Sequence, residues 1–449
     1  MIFYSCIVSA LSMLCAAAYL LRKFRGTITA SSLLMICLLI FYGPASFVYL
    51  LYYSQESVIY GIMEASPYFG KSVSCLHISI AIMLGCCVLA IEVCDRAAPR
   101  LSRKLTGSED WSDKPLARDT QALFWLLLGC NVLLAIVMTS VSIYEDHVGI
   151  VAGFFRASGS EAKDAYRLAF GGSKIYPYRV LLEAVAPFVL IWGILEFTSR
   201  RAYLALLSSA WLFLAIFVGR ADTLSKAPVA LIILELVAAL MLCRHNRLSW
   251  RFIAMSGVFA LAVFYPLIGL ALPEVAREGT EFSFFFRRSF AILNETLLEF
   301  FTAFPHYLSY TFGTNIRPVA LLAGQEFRPA YIDVPFLWHS QHGSTSNAMF
   351  IADAWAAFSF VGVALASLFV GAICRSIDLV FFSRGKSTMN VAVLAAVLVG
   401  VLRLMIDSAS TALVSGGLLI VPLFALTLLG VAGLFEPDAE PANKVALTA

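Results

Sequence analysis

Apolar stretches of about twenty residues, each long enough for a helix to cross a bilayer, follow one another from Ile2 to Leu434. In lipid every backbone N–H and C=O must find a partner within the protein, so such a chain folds as membrane-spanning helices. About eleven spans are expected, near 2–21, 29–53, 73–93, 121–143, 178–198, 203–219, 227–243, 252–273, 348–374, 390–406 and 412–434. Composition points the same way. Hydrophobic residues make up 60% of the 449 and charged residues 14%, with a mean hydropathy of +0.84. A soluble domain carries about a quarter charged residues, so too few charges are present here to cover a water-exposed surface. The expected fold is all-α and polytopic, a single integral membrane domain over 1–449. Disordered, collagenous, disulfide-scaffold and nucleic-acid-binding classes are excluded as the main theme.

The net charge of +3 creates no field that would select a polyanion. None of the ten cysteines falls in a C-x-x-C pair or at a zinc-type spacing, so they read as small buried hydrophobes. No metal and no cofactor is expected. The first apolar run precedes Arg22, Lys23 and Arg25. That order is the reverse of a secretory leader and fits an uncleaved first span with its N-terminus outside.

Basic residues set the orientation. The odd-numbered loops hold seventeen Lys and Arg and the short even-numbered loops eight. The odd loops are therefore expected in the cytoplasm, together with the C-terminal tail. Two large segments then face outward, 144–177 and 274–347. The second opens with 281–301, where phenylalanines alternate with Arg287, Arg288, Glu295 and Glu299. This suits an amphipathic helix lying in the interface, rings in lipid and charges among headgroups. Its remainder is rich in Pro and Gly and holds His306, His339 and His342, half of the six histidines.

Charges inside or at the edge of apolar spans are costly and carry the functional hypotheses. Arg403 ends one span, with Asp407 four residues later on the same helical face. Arg220 lies in the external turn Gly219–Asp222, Glu235 lies mid-span, and Asp353 opens the ninth span. Each has a structural alternative. Arg403–Asp407 serves equally well as a satisfied pair at a helix end, Arg220 as a snorkelling residue, and Glu235 as a helix–helix hydrogen-bond partner. Guanidinium groups bind phosphate bidentately, so several near the outer interface would suit a lipid-linked diphosphate. No Walker-type loop, nucleotide-sugar motif or acidic metal cluster accompanies them.

The segment 346–374, SNAMFIADAWAAFSFVGVALASLFVGAIC, resembles the stretch after the large periplasmic loop of the O-antigen polymerase (Wzy-type) family of oligosaccharide repeat-unit polymerases. Phe358, Gly362 and Gly371 match its F-G-x-x-G and following glycine, while Ser359 stands where the first glycine is expected. The run from Arg403 to Ser408 is similar to an R-x-x-x-D-S stretch in the enterobacterial common antigen branch. Gly219-Arg220 resembles the family's outward turn, and Arg156 with Gly172 matches an R-x15-G spacing of some members.

The resemblance implies a GT-C-like architecture in a bacterial inner membrane. It also implies polymerisation of undecaprenyl-diphosphate-linked oligosaccharide units on the periplasmic face, a glycosyl transfer without metal. Arg220 and Arg403, then Arg287, Arg288, Arg156 and Asp407, would hold the substrate diphosphate. His342, then His339 or Asp353, would take the hydroxyl proton. A flippase and a chain-length regulator would be the natural partner proteins. Two alternatives stay open: an O-antigen ligase, which shares the chemistry, and a flippase or transporter without covalent chemistry.

Overall fold

The structure is a computed structural model, and it describes residues 1–52, 54, 57–106, 111, 114–156, 176–221, 227–244, 281–339 and 348–435. Secondary structure there is helical, apart from isolated bridge positions such as Ala117 with Ser387. Seven helices are long and apolar enough to cross a membrane, and Thr388–Arg403 and Ile420–Phe435 are shorter apolar helices. The all-α polytopic expectation holds to that extent. The span expected at 252–273 and most of the loop 144–177 lie outside the described residues.

The chain divides into two compact units. The first comprises 1–112, 245–383 and 400–413, the second 113–244, 384–399 and 414–449. Within the first unit, α1 (Ile2–Phe24) turns through Arg25 and Gly26, both at positive φ, into α2 (Ala30–Tyr42). The start of α2 is capped twice. Thr29 and Ser32 form a reciprocal capping box, and the buried Asp378 carboxylate accepts the Ala30 and Ser31 N–H groups at 2.7 and 3.0 Å. After α2 come α3 (Pro44–Leu51), α4 (Val58–Glu64), α5 (Phe69–Ala97) and the basic α6 (Pro99–Thr106).

Helix α15 (Phe350–Ser383) lies along α5 so closely that small residues line the seam. A Cβ on Gly371 would come within 3.1 Å of both the Ala90 Cβ and the Cys87 carbonyl. At one end of this pair the charges neutralise one another. Lys23 bridges Glu92 and Asp95 at 2.8 and 2.7 Å, Arg375 meets Asp95 at 2.8 Å, and the Tyr19 hydroxyl donates to Glu92 at 2.7 Å.

Residues 281–303 form one helix, α12, with a π-helical turn at Arg287–Ala291. Its second half is buried within the protein. Leu297 to Ala303 are buried, with Phe300 and Phe301 only 1% exposed. Those rings meet protein, against α5 and α15, where the alternation of rings and charges had suggested lipid. Packing outweighs the pattern here because Glu295 and Glu299 find partners inside the unit, Tyr49 at 3.0 Å and His339 at 3.1 Å. The short helices α13 (Arg317–Leu322) and α14 (Ala330–His339) follow it.

The second unit holds α7 (Gln121–Tyr144), α8 (His147–Arg156), α9 (Tyr176–Arg200), α10 (Tyr203–Ala221), α11 (Ala227–Arg244) and α18 (Ile420–Phe435). It also holds the first twelve residues of α16 (Thr388–Arg403). Asp119 organises one end of this unit. Its Oδ2 accepts from the Trp192 indole at 2.8 Å, the Thr388 hydroxyl at 2.6 Å and the Met389 N–H at 3.0 Å. Glu196 pairs with Arg200 at 2.7 Å beside it. A five-residue helix, α17 (Ala409–Leu413), belongs to the first unit.

Candidate functional site

Candidate residues gather at the end of the first unit that carries the start of α15, the end of α12, α14 and the loop 304–328. Helix α15 is not continuous as expected for one long span. Phe358 (φ −141°, ψ 25°) and Ser359 (φ 56°, ψ −141°) break it and leave an opening segment, residues 350–357. The break leaves carbonyls without helical partners, and the loop supplies donors. The Thr311 N–H bonds the Ala356 carbonyl at 2.9 Å, and the Asn315 Nδ2 bonds the Asp353 carbonyl at 2.9 Å. Gly362 permits the bend, because a Cβ there would sit 2.0 Å from the Ala354 carbonyl oxygen.

Asp353 is half-buried on this opening segment, with Oδ1 3.4 Å from Asn315 Nδ2. Its Oδ2 accepts no hydrogen bond among the described residues. The Phe350 N–H donates to the Leu404 carbonyl at 3.2 Å. That bond places the end of α16, with Arg403, beside the first turn of α15. The Tyr42 hydroxyl also holds this end of α16, by donating to the Met405 carbonyl. Arg403 and Asp407 are both half-buried, and the Asp407 N–H closes a turn on the Arg403 carbonyl at 2.8 Å.

The second constellation is Glu299 with His339. Glu299 is 2% exposed on α12, and its Oε1 lies 3.1 Å from Nε2 of His339, whose side chain is 33% exposed. The neighbouring Trp338 indole donates to the Glu299 carbonyl at 3.2 Å, so α14 is pinned to α12 by backbone and side chain alike. The carboxylate holds the His339 imidazolium, raising its pKa above the usual histidine value, while partial burial opposes it. Around the pair stands an aromatic group. Tyr307 meets Trp338 edge-on at 5.5 Å, Tyr68 stacks on His306 at 4.1 Å, and the Tyr307 hydroxyl donates to Ser66 at 2.8 Å. Burial lowers the pKa of His306, with Lys71 adding to the effect.

The remaining expected residues are more scattered. Arg287 and Arg288 are exposed on the π-helical turn, the latter over the Phe284 ring at 6.0 Å. Arg156 is exposed at the end of α8 in the second unit. Arg220, also in that unit, is 5% exposed and donates through Nη2 to the Leu182 and Glu183 carbonyls at 3.1 and 3.2 Å. Those carbonyls belong to a π-helical turn, Leu181–Val185, so the guanidinium has a structural task there. His342, with Asp222 and Gly172, lies outside the described residues.

Two functional candidates were not singled out from sequence, Glu299 and Asn315. Glu299 carried a signal all the same. It is the one charge in Leu297–Ala303, a run otherwise apolar but for Thr302, and a charge there needs a partner. Asn315 carried none, since a loop asparagine is ordinary turn chemistry. Among the described residues no group of three or more His, Cys, Asp and Glu is arranged to hold a metal ion. No family model matches the chain, and no similar protein was found among curated sequences or solved structures.

Proposed function

We propose that this chain is a glycosyltransferase that polymerises lipid-diphosphate-linked oligosaccharide units, with His339 as the base that accepts the proton of the attacking sugar hydroxyl. The observation that carries the reading is the Glu299–His339 pair, a partly exposed imidazole backed by a buried carboxylate. A general base needs an accessible nitrogen and a group that orients the ring. The rings of Tyr307 and Trp338 beside the pair offer apolar faces to a sugar. His339 is put first because the buried Glu299 carboxylate holds its ring.

In the proposed step the hydroxyl oxygen of the incoming unit bonds to the anomeric carbon of the donor. The bond from that carbon to the lipid diphosphate breaks, the diphosphate leaves with the electron pair, and His339 takes the hydroxyl proton. Arg403, at the end of α16 beside Asp353, is the cation of this unit best placed to steady the departing diphosphate. The serine at 359 sits in a backbone conformation that glycine adopts readily, at the position where the resembled motif has glycine. That coincidence supports the likeness. The reading places the site on the periplasmic side of a bacterial inner membrane, with the N-terminus outside and undecaprenyl diphosphate as carrier.

The test is a gel of surface and lipid-linked glycans from a strain lacking the gene, complemented with wild type, His339→Ala or Glu299→Gln. Single repeat units in place of a ladder, restored by wild type and not by His339→Ala, are expected. Long polymer stranded on the carrier would instead identify a ligase, and units trapped in the cytoplasm a flippase. An unchanged glycan profile would overturn the reading.

A further inference from the structure

A groove of about 360 Å3 runs between α1 and α5 of the first unit, away from the candidate site. It is lined by Val8, Leu11, Ser12, Cys15, Ala16 and Tyr19 on α1, with Ala81, Leu84, Gly85 and Val88 opposite. Small residues at 12, 15, 16, 81 and 85 open it, and Tyr19 closes it by bonding Glu92 at 2.7 Å. From Val8 to Tyr19 it extends about 16 Å along the helix at about 1.5 Å per residue. Half of a hydrocarbon core about 30 Å thick is about 15 Å, so the groove matches one leaflet and falls short of a whole spanning helix.

Charge at the closed end is one-sided. Arg22 follows Tyr19 by three residues on α1. Val88, Glu92 and Arg96 succeed one another at four-residue spacing along α5. Arg25 and Arg100 lie just beyond the ends of α1 and α5. All four arginines are exposed, and none makes an ion pair among the described residues. The carboxylates nearby are already used, since Glu92 and Asp95 share Lys23, and Asp95 also holds Arg375. Exposed guanidinium groups just beyond the Tyr19 end of an apolar slot one leaflet deep are complementary to a phosphate head with an acyl tail.

We infer that this groove binds an anionic glycerophospholipid, one acyl chain between α1 and α5 and the phosphate on Arg22 and Arg96. The lipid is held as a structural ligand, and the inference stands apart from the glycan chemistry above. A second copy of the chain is the poorer fit, since a whole helix needs twice that length and would bring its own arginines to the same end.

The test uses the full-length protein in detergent, with native mass spectrometry and thermal unfolding after addition of phosphatidylglycerol or phosphatidylcholine. Phosphatidylglycerol is expected to be retained preferentially and to raise the unfolding midpoint. The double variant Arg22→Gln, Arg96→Gln should lose that preference, by roughly fivefold per arginine removed. Filling the slot with Gly85→Leu should weaken retention of both lipids. In wild type the preference should also shrink as salt rises to 1 M, which keeps the test alive if a variant fails to fold. Equal retention of the two lipids, a preference unmoved by salt, or a Cys15–Cys15 crosslinked dimer in membranes mapped by peptide analysis would each overturn the inference.

Discussion

At Ser359 the backbone does something its side chain disfavours. With φ 56° and ψ −141° it occupies a region where glycine is nearly alone. Holding a non-glycine residue there costs about 1–3 kcal/mol, and glycine loses about 0.5–1 kcal/mol more on ordering. Ser359→Gly is therefore expected to stabilise the protein by about 1 kcal/mol, read as a higher midpoint of thermal unfolding in detergent. Ser359→Val should lower it.

His77 is a second residue-scale conflict. It is fully buried on α5, stacked on Phe47 at 4.9 Å, and neither ring nitrogen has a hydrogen-bond partner among the described residues. His77→Phe keeps the stacking and removes the unsatisfied polar atoms. A gain of about 1 kcal/mol is expected, and a loss in the same melting assay would show that the imidazole has a task.

His339 adds a pH dependence whose sign follows from its raised pKa. The Glu299 contact contributes to stability fully below the ordinary histidine value of about 6.5, and that contribution fades as pH rises through the higher folded-state value. Catalysis by the neutral ring runs the other way, so polymer synthesis in membranes should increase across that interval. Glu299→Gln should move the inflection toward lower pH. A rate profile flat from pH 6 to 9 in both proteins would remove His339 from the chemistry. His339 was the member of this pair named from sequence, while Glu299 carried a signal only as a charge in an apolar run. The pairing itself was not legible, because a contact forty residues away in the chain leaves no local trace.

Among the elements, spans were the most legible feature, since length and hydropathy are local properties of the chain. The expected spans at 2–21, 121–143 and 178–198 correspond to α1, α7 and α9. Breaks were less legible, although Gly43-Pro44 is a local break signal. The expected span 29–53 is divided at Gly43 into α2 and α3, and α15 is broken at Phe358–Ser359, although neither run loses apolar character there. For α15 the cause is tertiary, since loop residues Thr311 and Asn315 bond the carbonyls that its break frees. The burial of Phe300 and Phe301 was not legible for the same reason, since buried phenylalanines and lipid-facing ones look alike in sequence.

Two glycines with different duties on α15 test this account. Gly362→Ala must push against the backbone of Ala354, and Gly371→Leu must push against that of Cys87. Both should destabilise, by about 1–3 kcal/mol as overpacking does. If the break serves the site, Gly362→Ala should also reduce polymer length at permissive temperature. Gly371→Leu should affect protein level without altering chain length.

At the scale of the whole molecule, the ends of the first unit are distinguished by chemistry as well as by position. One end gathers Lys23, Glu92, Asp95, Arg375 and Asp378 into paired charges, with Arg22, Arg25, Arg96 and Arg100 exposed around them. The other gathers Ser66, Tyr68, His306, Tyr307, Trp338 and His339, where aromatic rings and hydroxyls predominate. Lys and Arg are retained on the cytoplasmic side during insertion, and tyrosine and tryptophan suit the interface where a glycan would be handled. If the basic end is cytoplasmic, as the loop parity of the basic residues leads one to expect, the aromatic end is the periplasmic one. Alkaline phosphatase fused after Gly324 should be active in intact cells, because the enzyme matures only outside the cytoplasm, and the same enzyme fused after Thr106 should be inactive. Glutamine at Arg22, Arg25, Arg96 and Arg100 together should weaken this contrast, because the orienting charge is concentrated there. Activity at Thr106 with none at Gly324 would invert the topology and place His339 on the side where no lipid-linked repeat unit is polymerised.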